Sequence, residues 1–247
     1  MFTIRKGLFE TNSSSTHAIV VSLEKDHKIT RRDLLTGWSS YNFEFGREVY
    51  RLLDTWDYKL AYIYIILLDI ANNSDVVSPL VDIEKFKSNV NNLYLELFKQ
   101  QEDNRYYSDR VTPDQIFQVL DFLQDVASGK ISADYTPEFN FDTGVFEDVL
   151  ENEYCFIDHT EYFIVTKEDD RRFSPPCAEV IRKLQNDIEY LKSFLFSDES
   201  YITIGGDEYQ GYNLKTIGFE YDYKRRDDWI DRVNEYRKTH DVYFKGN

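Results

Sequence analysis

Near the start of the chain, between two apolar stretches, lies the run Phe9-Glu10-Thr11-Asn12-Ser13-Ser14-Ser15-Thr16-His17. After its phenylalanine it carries an acid, an amide, hydroxyls and an imidazole, with no further apolar residue. Those are the residue types of nucleophilic and acid–base chemistry, because a neutral imidazole can take a proton from a hydroxyl near pH 7. In this reading His17 is the general base, Glu10 faces it from the other end of the run, and Ser14 is the nucleophile. Asn12, Ser13 and Ser15 are placed to bond substrate oxygens, and Arg5 upstream supplies positive charge to an anionic group. The bland alternative is a turn, since Asn, Ser and Thr side chains bond nearby backbone groups.

Two further loops hold chemistry-bearing residues. Asp158-His159-Thr160-Glu161 offers a second imidazole, His159, as base. Gly205-Gly206-Asp207-Glu208-Tyr209-Gln210-Gly211 has glycines that permit close backbone approach. Its adjacent carboxylates, Asp207 and Glu208, are the donors a hard cation such as Mg²⁺ takes. Brought together, the three loops suit phosphoryl or nucleotidyl chemistry, or hydrolysis of a phosphate-bearing substrate. Each loop read alone is also an ordinary connection between strands. The chain has no phosphate-binding P-loop, no dinucleotide fingerprint, no paired-histidine zinc helix and no nucleophile elbow. His27 and His240 lie in charged surroundings and read as surface residues.

The run at residues 9–17 resembles the N-terminal signature of a family of uncharacterised phage and bacterial proteins. These begin with a short strand bearing a basic residue and pass into a similar Glu-Thr-Asn-Ser-Ser-Ser-His stretch. The resemblance is confined to the start of the chain, apart from the turn Gly205-Gly206-Asp207-Glu208-Tyr209. It implies a phage or prophage setting, and with it the cytosol of a bacterial host. It implies no activity.

Composition narrows the partners. The chain has 247 residues and a formal net charge of −16, with 19 Tyr and 18 Phe. So many rings argue for a packed core and against disorder. The negative balance argues against direct binding to a nucleic-acid backbone, which needs a basic footprint. It suits a basic host protein as partner. A second reading follows: an acidic, aromatic-rich inhibitor of a host or defence protein that spaces carboxylates as nucleic acid spaces phosphates, with the acidic run over 134–170 as its face. Cys155 and Cys177 have no metal-ligand spacing and are expected to be reduced and unpaired, as in a cytosolic protein. Residues 1–25 lack the apolar core of a signal peptide.

The elements that must position these loops follow from periodicity. Strands are expected at 2–8 and 18–21 around the first loop, with a further strand over 38–45. A helix is expected from Arg47 to about residue 72. Its second half, 60–68, is apolar all round and bracketed by Lys59 and Asp69, so it reads as a buried helix and not a membrane span. Asp82 caps a second helix. Thr112-Pro113-Asp114-Gln115 opens a third that Gly129 ends. Residues 133–153 read as a linker or exposed lobe, and 130–153 as the one place a single domain over 1–247 could subdivide. Strands are expected at 154–157 and 162–165, a long helix from Ser174 to about residue 195, strands at 201–204 and 214–221, a helix from Asp227, and a closing strand at 242–244. The fold class is α+β: a mixed or antiparallel sheet from N- and C-terminal strands with a cluster of central helices. The N-terminal strands are expected beside 201–204, where the first and third loops would meet.

Overall fold

A computed structural model describes residues 16–24, 29, 32–34, 41, 43–45, 50–73, 81–99, 111–132, 135, 137–152, 155–157, 177–205 and 235–245, and at His17 it describes the backbone. The strands, in chain order, are β1 (Thr16–Ser22), β2 (Phe43–Phe45), β3 (Tyr50–Leu53), β4 (Cys155–Ile157), β5 (Tyr201–Gly205) and β6 (His240–Lys245). The helices are α1 (Trp56–Asn73), α2 (Ile83–Lys99), α3 (Pro113–Ala127), α4 (Glu147–Asn152), α5 (Cys177–Asn186) and α6 (Ile188–Phe196). The fold is α+β. Four strands lie side by side in the order β3-β5-β1-β6, each pair antiparallel, and β2 and β4 form a separate parallel pair.

Side chains alternate across a strand, so the main sheet divides its apolar residues between two faces. Ile19, Val21, Leu53, Ile202 and Ile204 join the helices in the main core. Ala18, Val20 and Tyr201 form a smaller cluster on the other face, with Leu52 and Tyr236 against it. The helix α1 is the centre of the main core, and every residue from 56 to 68 is buried. Among the described residues no helix is long and apolar enough to cross a membrane.

Local signals decide the helix ends. Thr112 Oγ1 accepts from the Gln115 backbone N–H, and the Gln115 side chain accepts from the Thr112 N–H at 2.8 Å, a reciprocal cap with Pro113 behind it. Gly129 adopts φ 74°, a left-handed turn that glycine takes without a Cβ penalty. Asp82 Oδ1 accepts from the Lys85 N–H at 3.0 Å at the start of α2. Thr112→Ala is expected to lower stability by about 1 kcal/mol. A urea midpoint unchanged within error would show that the cap contributes nothing measurable.

Several expectations are corrected. The helix does not begin at Arg47: residues 50–53 form β3 because they pair with β5, and α1 starts only at Trp56. The long helix to residue 195 is broken at Asp187, which adopts φ −118° and caps α6 by accepting from the Tyr190 N–H. The supposed linker is tied into the fold, for Phe146 and Val149 are buried in the main core. β4 pairs with β2. Thr16 and His17 belong to β1 rather than to the loop before it. His240 is only 9% exposed, not a surface residue, because β6 lies against β1. The expected strands at 2–8, 162–165 and 214–221, most of the helix from Asp227, His27, and the side chains of Cys155 and Cys177 lie outside the described residues.

Candidate functional site

Strand register decides which loops meet. Thr16, the first residue of β1, pairs with Gly205, the last of β5, and Gly205 also pairs with Tyr50, the first of β3. At the same end β6 finishes with Lys245 opposite His17. The segment ending at Ser15 and the segment beginning at Gly206 therefore join the sheet at one end, through residues that are themselves paired. Arg5, Glu10, Asn12, Ser13, Ser14, Ser15, Asp207 and Glu208 lie outside the described residues. Among the described residues no group of histidine, cysteine and carboxylate side chains could hold a metal ion.

One row crosses this end of the sheet: Lys245, His17, Ile204 and Arg51 stand opposite one another on β6, β1, β5 and β3. Two cationic residues and an imidazole thus share a row in a protein of net charge −16. The Arg51 guanidinium lies over the Tyr58 ring at 4.6 Å and over the Phe45 ring at 5.3 Å. Such stacking holds the plane of a guanidinium against the rings. Phe45 also ends β2, where it pairs with Ile157, the last residue of β4. Asp158 and His159 follow Ile157 in sequence. Arg51 therefore stands between the end of the main sheet and the strand that leads to His159, itself outside the described residues.

Behind Arg51 the start of α1 holds two buried charged side chains. Asp57 Oδ2 accepts from the Tyr41 phenol at 2.6 Å and Oδ1 from the Tyr58 N–H at 2.9 Å. Burial, and then the Asp57 charge, push the Tyr41 phenol well above the usual tyrosine range, so it stays a donor. Lys59, with no exposed surface, donates from Nζ to the carbonyls of Ser197 and Ser200, both at 2.9 Å. Asp57 ties Tyr41, and with it the rings of Phe43, Tyr58 and Phe146, to the start of α1, with Tyr41 stacked on Phe146 at 5.0 Å, while Lys59 ties the same helix to the turn before β5.

No known family, curated protein or solved structure matches this chain. Arg51 is the residue that sequence reasoning missed. Its only signal was Tyr50-Arg51-Leu52-Leu53, which reads equally as the first turn of a helix until β5 is known to lie beside it. Lys59 and Asp57 gave no signal either, because charged residues usually mark a surface.

Proposed function

We propose that this is a phage- or prophage-type accessory protein that takes a phosphate-bearing, nucleotide-class substrate at the end of the main sheet. The observation that carries the reading is the row Lys245, His17, Ile204, Arg51, with the paired ends Thr16 and Gly205 beside it. In this reading Arg51, Lys245 and Arg5 meet the anionic group, and Asn12, Ser13 and Ser15 bond its oxygens. His17, with Glu10, activates Ser14 or a water, His159 serves as a second acid–base group, and Asp207 and Glu208 hold Mg²⁺.

The test is calorimetric titration of nucleoside mono-, di- and triphosphates, with and without Mg²⁺, into the full chain and its Arg5→Ala and Ser13→Ala variants. Wild type should bind at least one of them. Arg5→Ala should weaken that binding at least tenfold, about 1.4 kcal/mol, with thermal stability nearly unchanged. Variants that fold normally and bind as wild type would sink the reading.

A second reading keeps one observation of its own. Glu138, Asp142, Glu147 and Asp148 are all exposed along residues 138–148, on a stretch anchored by buried Phe146. A fixed face of solvated carboxylates is what an inhibitor of a basic host protein would present. Charge reversal of these four with nucleotide binding intact, and host-level activity lost, would favour it.

A further inference from the structure

At the opposite end of β1 from His17, the sheet buries the imidazole of His240. His240 pairs with Ser22 at the start of β6, and its ring stacks on Tyr236 at 4.0 Å between centroids, 6° from parallel. Nδ1 shares a hydrogen bond with Thr239 Oγ1 at 2.9 Å. Nε2 is buried and, among the described residues, has no hydrogen-bond partner. A neutral ring whose Nε2 is the bare acceptor tolerates that position. A protonated ring would place a charged N–H there with no acceptor among the described residues, which is costly. The charged groups that face it are Glu24, after the end of β1, and Glu199, in the turn before β5, both exposed. Their pull, and that of the Tyr236 carbonyl, is weaker than the penalty of burial, so the imidazole sits below the usual histidine range. On the next residue, Asp241 pairs with Lys183 of α5 at 2.5 Å and holds the strand from the helix face.

We propose that His240 is a proton-operated latch on β6, closed while its ring is neutral and released when the ring takes up a proton. Among the described strands β6 is outermost in the sheet and pairs with β1 alone, so opening breaks that ladder and the Lys183–Asp241 pair. It can therefore open without dismantling α1 and the main core. The ring in an opened strand is hydrated and protonates near the ordinary histidine value of about 6.5. The sign follows. Above that value both states are neutral and pH has no effect, while below it the opened state binds the proton more readily, so closure weakens as pH falls. Opening also withdraws Lys245 from its place opposite His17, which links acidification at one end of β1 to the composition of the row at the other. The latch itself does not depend on the ligand proposed for that row.

Amide hydrogen exchange on the full chain, corrected for intrinsic rates, tests this between pH 7.5 and 5.5. In wild type, protection over 240–245 should fall at the lower pH, by up to about tenfold, the limit one proton's linkage sets across one unit below 6.5, while α1 stays protected. His240→Phe keeps a stacking ring that cannot be protonated, and its β6 should not respond. If that variant does not fold, His240→Gln carries the same expectation. Wild-type protection independent of pH, or the same loss in a variant without the imidazole, would overturn the latch.

Discussion

Lys59→Ala should cost about 3–5 kcal/mol of stability, a large share of what a domain has. The ammonium is fully buried and donates to two carbonyls, Ser197 and Ser200, at 2.9 Å each. Ser197 is the C-cap of α6, where backbone carbonyls run out of helical partners and a cation is favourable. Truncation leaves both carbonyls without this donor and opens a void the length of the lysine stem. Lys59→Met restores most of the volume but no donor, so most of the loss should remain. Urea unfolding of the two variants separates packing from bonding. Midpoints within error of wild type would show that the turn before β5 is held by something else.

Leu67→Ala should cost on the order of 2–5 kcal/mol. Leu67 is fully buried in α1, between Ile63 and the end of the apolar run, with α2 and α3 packed on the same helix. The neighbouring Tyr64 is already committed, its ring 4.6 Å from Phe117 and its phenol donating to Asp121 Oδ1 at 2.6 Å. A position so fixed cannot collapse into the space a leucine leaves. A chemical unfolding midpoint unchanged within error would refute the placement of this helix at the centre.

What was legible in the chain was local or periodic. Thr112, Pro113 and Gln115 announce a helix start because all the groups they satisfy lie within four residues. Ile19, Val21, Ile202 and Ile204 announce strands because alternation needs no knowledge of the partner. The expected neighbourhood of β1 and β5 is found, in the register Thr16 to Gly205. The rest depended on distant groups. Lys59 reads as a surface charge until the carbonyl of Ser197, 138 residues on, is placed against it. His240 reads as a surface histidine until β6 lies against β1. Asp187 looked like one polar position on a continuous helix, because an N-cap and a solvent-facing acid are the same letter. Of the candidate site, the chain disclosed the loops but not Arg51, whose strand is defined only by β5.

The order of the sheet has a consequence for synthesis. The Ser22 N–H bonds Ser200 Oγ, 178 residues later, and β1 is otherwise paired only with β5 and β6. Loop closure over such separations is slow, whereas helices with neighbouring partners form early. On a ribosome that releases the chain from its N-terminus, α1, α2 and α3 can pack while β1 still waits for both of its neighbours. Until they arrive, the strand that carries His17 is an unpaired apolar edge, the kind of surface that chaperones bind and that aggregation recruits. The first of the described strands to be made is thus among the last of them to be finished.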